Sequence, residues 1–183
     1  MSPGPDGVVI RPPTERDAEA GAGLTGRAWE ATYRGMIPDP VLDEWIAGTL
    51  DGWRTLVGSE GDGSERAWVA ERRGSLLGFA TTSPGKDQWL PSPAGSGELR
   101  NLYLDPDAIG TGVGRVLYEH AIEDLRQRGF SSLVVWAFRE NHRARAFYER
   151  MGLVIDAEHV WALGGVDCPI VRFSADWRHL VAG

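Results

Sequence analysis

The sequence predicts an α/β fold of the α+β kind with the element order β-αα-βββ-α-β-α-ββ, and three observations support it. Residues 98–125 pass from an apolar, strand-like stretch through a glycine-rich turn into a helical repeat. Residues 66–82 alternate in polarity on both sides of a short turn, which is typical of a β-hairpin. A second pair of strand-like stretches flanks Gly164-Gly165 near the end of the chain.

The first part of the chain predicts a short strand followed by two helices. Residues 8–11 form the strand. Thr14 is followed three residues later by Asp17, an N-cap pattern that opens a helix through about Tyr33. A second helix is predicted over about residues 40–57, because large apolar residues recur there at helical spacing.

The middle of the chain contains the hairpin and the central strand. Residues 66–72 and 76–82 are predicted to pair as antiparallel strands. Residues 83–97 are rich in proline, glycine and serine and form a long connection, a kind of loop that often has a functional role. The central strand runs from 98 to 104, and Asp105-Pro106 ends it because proline lacks a backbone N–H.

Three glycines, Gly110, Gly112 and Gly114, come directly before a helical pattern that ends near Gly129. The N–H groups at a helix N-terminus lack intrahelical partners and, together with the helix dipole, favour an anion such as phosphate. A tight turn that needs positive φ explains the same glycines. The dinucleotide fingerprint and the P-loop do not fit, because the third glycine comes one residue early and no lysine follows.

Composition limits the class of function. The 183 residues have a net charge of -7 and 42% apolar content, which suits one domain over 1–183 and argues against a nucleic-acid partner. One cysteine, Cys168, and four scattered histidines predict neither a disulfide nor a metal site. Without a signal-peptide layout or a bilayer-spanning apolar run, we expect no membrane partner and a cytoplasmic location. Residues 1–7 are expected to form a flexible tail.

Two segments provide a more specific signal when they are taken together. One is the glycine loop Ile109-Gly110-Thr111-Gly112-Val113-Gly114. The other is a short helix with the pattern Asn141-x-x-Ala144-x-x-Phe147-Tyr148-Glu149-Arg150-x-Gly152, which follows a predicted strand at 132–138. Their pairing and separation resemble the GCN5-related N-acetyltransferase (GNAT) family. The resemblance implies the GNAT fold, a mixed, mostly antiparallel sheet of about six or seven strands, splayed in the middle and flanked by about four helices.

The resemblance also implies a function. It predicts an N-acetyltransferase that moves an acetyl group from acetyl-CoA to a primary amine by direct attack in a ternary complex.

Ile109 departs from the family, which usually has Gln or Arg there, and Arg115 is either a source of positive charge or a solvated helix residue. The implied cofactor-binding residues are Leu102, Tyr103, Leu104, Ile109, Gly110, Thr111, Gly112, Val113, Gly114, Arg115, Asn141 and Phe147.

Two residues match catalytic positions of the family. Glu98 is the implied general base, since an amine must lose a proton before it attacks a thioester. The alternative is an exposed glutamate at a strand end. Tyr148 is the implied proton donor to the departing coenzyme A thiolate, and its alternative is a core tyrosine on an apolar helix face.

The acceptor is predicted to be a small-molecule amine. Trp29 and Tyr33 share one helix face and are, with Glu98, its candidate binding residues, although aromatic core packing explains the two aromatic residues equally well. Core packing is the favoured explanation for Trp45 and Trp53, whereas Trp89 is either a lid or a plug at the sheet edge. Homodimers are frequent in the family, so the resemblance also suggests a homodimer. The alternatives are a catalytically silent acyl-CoA-binding module and a protein N-terminal or lysine acetyltransferase.

Overall fold

The computed structural model describes residues 7–58, 63–86 and 88–177, and within them the chain forms seven strands and five α-helices. Of the predicted tail, residues 1–6 lie outside the described residues. The strands are β1 (Val9–Arg11), β2 (Arg66–Arg72), β3 (Ser75–Pro84), β4 (Ser96–Leu104), β5 (Ser132–Phe138), β6 (Val154–Leu163) and β7 (Val166–Asp176). The helices are α1 (Ala18–Tyr33), α2 (Asp39–Ala47), α3 (Thr49–Gly58), α4 (Val113–Gln127) and α5 (His142–Arg150). None of these helices is long and apolar enough to span a membrane.

All seven strands form one sheet with the order β1-β2-β3-β4-β5-β7-β6. Neighbouring strands are antiparallel, except that β4 and β5 run parallel. These two central strands pair from Ser96 opposite Ser132 to Glu98 opposite Val134, and then they separate. The predicted mixed, mostly antiparallel sheet that is splayed in the middle is therefore confirmed.

Different helices cover the two faces of the sheet. α4 and α5 pack on one face, where Leu117 and Leu125 of α4 are fully buried. α1, α2 and α3 cover the other face, where Leu24, Leu42 and Trp53 are buried. Because β4 and β5 separate between these two layers, the gap between the strands has helices on both sides.

The second predicted helix is wrong in one respect. The sequence predicted a single helix over about residues 40–57, but α2 ends at Ala47 and α3 begins at Thr49. Gly48 has low helix propensity, and the Thr49 hydroxyl donates to the Ile46 carbonyl oxygen at 2.9 Å, which competes with the continued helical pattern. The described chain therefore has five helices instead of about four.

Trp53 joins α3 to α1 through a short polar chain inside the core. Its indole N–H donates to the Thr25 hydroxyl oxygen at 2.8 Å, and that hydroxyl donates to the Gly21 carbonyl oxygen at 2.8 Å. A Cβ atom at Gly21 would lie 2.5 Å from the indole ring. Because real Cβ atoms do not approach a ring so closely, this contact requires glycine.

The contact predicts unequal effects of two identical substitutions. Gly52 lies in α3 with nothing within 4 Å of an added Cβ atom. Both Gly21→Ala and Gly52→Ala gain the same helix propensity, but only the first overpacks the core, so we expect G21A to be less stable than G52A by about 1–3 kcal/mol. Urea unfolding measures the difference, and equal stabilities would show that Trp53 moves aside without cost.

Candidate functional site

A cleft of about 930 Å³ opens where β4 and β5 separate. Residues of α1, β4, β5 and α5 form its walls together with the glycine loop before α4. Most of the predicted site residues line this cleft, namely Tyr33, Leu102, Tyr103, Leu104, Ile109, Gly110, Gly112, Gly114, Arg115, Asn141, Phe147 and Tyr148. Trp29, Glu98, Thr111 and Val113 were also predicted, and they lie outside the cleft lining.

The backbone of β4 provides hydrogen-bonding groups at the cleft. Beyond Glu98, β4 stays paired with β3 as far as Leu104 but has no β5 partner. Alternate N–H and C=O groups between Leu99 and Leu104 are therefore directed to the side that β5 has left. An extended arm that contains amide groups, such as pantetheine, fits this edge because it can pair as an additional strand.

The glycine loop combines a left-handed backbone, which glycine adopts without strain, with a close approach. Gly110 and Gly112 have φ values of 80° and 87°, and Gly112 is the N-cap residue of α4. A Cβ atom at Gly114 would lie 2.9 Å from Cδ1 of Leu104. The tight-turn explanation is thus confirmed, and it is compatible with an anion site because the same turn brings the N-terminus of α4 to the cleft.

Several basic side chains line the cleft. Arg115 lines the cleft, and its Nε donates to Glu119 Oε1 at 2.7 Å. Arg143 and Arg150 also line the cleft, although the sequence assigned a binding role to neither. Their separation of seven residues places them on one side of α5, and this spacing was the signal in the sequence. The donors and positive charges suit a polyanion such as the phosphates of coenzyme A.

Asn141 and Tyr148 are positioned by α5. The Asn141 Oδ1 atom accepts a hydrogen bond from the Ala144 backbone N–H at 3.1 Å, so Asn141 is the N-cap residue of this helix. The Tyr148 ring packs with its centroid 5.5 Å from those of both Phe147 and Phe173. Burial raises the pKa of Tyr148, so its hydroxyl stays protonated at neutral pH.

Glu98 lies at the point where the central strands separate. It is the last residue of β4 that pairs with β5, and it is buried, so the exposed strand-end alternative is wrong. Its Oε2 atom accepts a hydrogen bond from the Lys86 backbone N–H at 3.3 Å. Burial raises the pKa of Glu98, while the charges of Arg100 and Lys86 oppose that shift.

Aromatic side chains surround the opposite end of the cleft. The Tyr33 and Tyr103 hydroxyl oxygens are 2.9 Å apart and share a hydrogen bond. Trp29 packs behind them, with its ring centroid 6.0 Å from that of Tyr103 and 5.8 Å from that of Trp45. Trp53 is buried between α1 and α3, which agrees with core packing. Trp136 lines the cleft, and no pattern in the sequence distinguished it from a core residue.

Comparison with known proteins agrees with this geometry. The model of the acetyltransferase (GNAT) family matches residues 27–153. The PaiA N-acetyltransferase of Thermoplasma acidophilum, solved in complex with coenzyme A, superposes with a TM-score of 0.73 at 19% identity, over 97% of this chain and 100% of that one. The chain belongs to the acetyltransferase (GNAT) family, whose cofactor is acetyl-CoA.

Relatives by sequence include acetyltransferases with different names. The mycothiol acetyltransferase of Thermomonospora curvata is 32% identical over 149 residues, which are 81% of this chain and 44% of that protein. The N-acetyltransferase YuaI of Bacillus subtilis, itself uncharacterized, is 28% identical over 169 residues and 87% of both chains. This chain spans less than half the length of the mycothiol acetyltransferases that it matches.

The glycine loop gives a prediction with a matched control. Gly110 and Gly129 have φ values of 80° and 86°, and an added Cβ atom at either would meet nothing within 4 Å. Alanine at either position strains the backbone by about 1 kcal/mol, so we expect equal losses of stability. Only G110A alters the loop that lines the cleft, and misalignment of one charge-assisted hydrogen bond from its strained backbone should weaken coenzyme A binding about tenfold or more. Calorimetry measures both affinities, and equal values would contradict a role for this loop.

Proposed function

We propose that this chain is an N-acetyltransferase that moves an acetyl group from acetyl-CoA to a primary amine of a small molecule, by direct attack in a ternary complex. The observation that supports this most strongly is the cleft between β4 and β5, where unpaired strand backbone, the glycine loop and Tyr148 meet. Bound acetyl-CoA supplies the acetyl group as an activated thioester.

The chain offers two sets of groups for holding acetyl-CoA. The backbone edge of Leu102–Leu104 and the Asn141 side chain suit the pantetheine arm, and Phe147 supplies an apolar surface beside it. Among residues 110–115 at the start of α4, the N–H groups other than those of Thr111 and Arg115, which donate within the turn, suit the pyrophosphate. Ile109 is 37% exposed and contributes no charge, so main-chain donors and Arg115 would provide this binding.

Glu98 is proposed to act as the general base. An alkylammonium has a pKa of about 10.4, so it must lose a proton before the nitrogen can attack. A carboxylate whose pKa is raised by burial is a stronger base than an ordinary glutamate. Because Glu98 lies at the vertex of the splayed strands but outside the cleft lining, we infer that it acts through a water molecule.

Tyr148 is proposed to donate a proton to the thiolate that leaves the acetyl group. The Tyr148 ring is held by its neighbours, and its hydroxyl belongs to a residue that lines the cleft. Its raised pKa ensures that the proton is present at neutral pH. Donation to the developing negative charge stabilises the departing thiolate.

The acceptor is proposed to be a small molecule, bound near Tyr33 with Trp29 supporting the wall from behind. The relatives named mycothiol acetyltransferases favour a small acceptor over a protein. A cytoplasmic location agrees with the use of acetyl-CoA and with the buried, unpaired Cys168; a homodimer stays a prediction.

A panel of amines tests the proposed function. Purified protein is incubated with acetyl-CoA and one amine at a time, and free thiol is measured. We expect thiol release that requires an amine and yields the acetylated product. If coenzyme A binds but no amine in a broad panel increases thiol release, the chain is an acyl-CoA-binding module and the proposal is wrong.

The role of Tyr148 predicts a selective loss of turnover. Tyr148→Phe should lower kcat by about 10²- to 10⁴-fold, the range for general acid catalysis, with little change in acetyl-CoA affinity. Tyr118→Phe is the matched control, because Tyr118 is buried and its hydroxyl has no partner among the described residues. Full activity of Y148F would mean that Tyr148 is only a packing residue.

The role of Glu98 predicts a change in the pH profile. Glu98 must be deprotonated to accept a proton, so the wild-type kcat/KM should rise with pH through a pKa above the usual value for glutamate. Glu98→Gln should remove this rise and lower the plateau. Glu123→Gln on exposed α4 surface is the control, and a rise that persists unchanged in E98Q would exclude Glu98 as the base.

A further inference from the structure

Trp136 is the tryptophan among the described residues that lines the cleft, and it lies where β5 has lost its parallel partner. It is two residues beyond Val134, the last β5 residue that pairs with β4. Its side chain packs on the face that α1 and α2 cover, in the same cluster as Tyr33 and Tyr103. Trp136 therefore belongs to the end of the cleft that is proposed to bind the acceptor.

A buried arginine holds this tryptophan. Arg172 of β7 is directly opposite Trp136 across the strand pair, and its guanidinium carbon is 5.7 Å from the indole ring centroid. Arg172 is 8% exposed, and its guanidinium nitrogens all have acceptors. Nε and Nη2 donate to the two carboxylate oxygens of Asp156 at 2.8 and 3.2 Å, and Nη1 donates to the Pro91 carbonyl oxygen at 2.8 Å.

The partners of Arg172 come from two other elements. Asp156 is an extra residue in β6, because Ile155 pairs with Phe173 while Ala157 pairs with Arg172. Such a bulge redirects a side chain, and here the Asp156 carboxylate meets the guanidinium. The hydrogen bond to Pro91 holds the connection between β3 and β4 in place. The Arg172 guanidinium therefore contacts this connection, β6 and Trp136.

The anchored connection adds a second ring to the wall. Trp89 has its ring centroid 5.1 Å from that of Trp136, in an edge-to-face arrangement, and 5.2 Å from that of Trp161. Trp89 thus supports Trp136 instead of lining the cleft. Because β6 is an edge strand, the contact with Trp161 agrees with the sheet-edge explanation of Trp89.

The charges near Trp136 indicate what the wall can bind. A guanidinium beside an indole already uses the ring's attraction for cations, which weakens that ring as a site for a second cation. Glu140 is the one carboxylate in the cleft lining formed by the described residues, and it is next to Asn141 at the cofactor end. An acceptor with several positive charges therefore finds no carboxylate beside Trp136, whereas a flat apolar group finds a fixed aromatic surface.

We propose that Trp136, fixed by the positioning residue Arg172, determines acceptor specificity and selects primary amines that bear an aromatic or other flat apolar group. This rests on the proposed N-acetyltransferase function.

Three amines and four variants test the inference. Thiol release is measured for wild type with 2-phenylethylamine, ethanolamine and spermidine. We expect kcat/KM for 2-phenylethylamine to exceed that for each of the other two by about tenfold or more, as pocket discrimination allows.

Trp136→Ala should reduce this ratio to near one, while Trp136→Phe should retain most of it. The acetyl-CoA KM should change less than about twofold in both. Trp68→Phe, on β2 against His120, is the control.

Arg172→Met tests the positioning role. We expect a higher KM for 2-phenylethylamine with little change in kcat or in the acetyl-CoA KM, since a loosened wall affects acceptor binding. If kcat falls and the KM values for 2-phenylethylamine and acetyl-CoA both rise to a similar extent, Arg172 has only a structural role. That result would overturn its role in positioning Trp136. Coenzyme A calorimetry verifies that each variant is folded.

The outcomes separate the two levels of the proposal. If amines are acetylated but 2-phenylethylamine is not preferred, or if the preference survives in W136A, the inference on Trp136 is overturned and the proposed function stands. If no amine supports thiol release although coenzyme A binds, both are overturned.

Discussion

The structure depends on a parallel contact that stops after a few residues. β4 and β5 pair only from Ser96 to Glu98, and the two strands then follow different neighbours. Two features of β4 accompany this change. A Cβ atom at Gly97 would lie 2.7 Å from Cδ2 of Leu125, so α4 packs directly on the paired segment. Arg100 then forms a bulge opposite Thr81 and Thr82, which bends the strand after the last shared pair.

After β4 separates from β5, its backbone and its side chains have different interactions. Past Glu98, the main chain of β4 can bind an extended ligand without depending on side-chain identity, while its side chains pack into two different cores. Leu104 supports the glycine loop through the space left at Gly114, and Tyr103 supports the acceptor end through Tyr33. One strand therefore connects the proposed phosphate site with the proposed acceptor site.

The sequence predicted what depends on local signals. Alternating polarity placed β2, an apolar run placed β5, and the glycines placed the start of α4. Asn141 was found through a motif confined to its own helix, and it caps that helix. The break at Gly48 was missed because its weak local signal competed with a continuous apolar pattern. Burial of Glu98 and the contact between Arg172 and Trp136 depend on strand register and a bulge far along the chain, which no local pattern specifies.

Amide hydrogen exchange along β4, with and without coenzyme A, tests the central claim most directly. In the free protein, the amides between Leu99 and Leu104 that face away from β3 should exchange rapidly, whereas the paired segment Ser96–Glu98 should already be protected. Addition of coenzyme A should slow exchange at the former amides and leave the latter unchanged. Slow exchange throughout β4 before ligand is added, or no change upon its addition, would contradict an open strand edge that binds the cofactor.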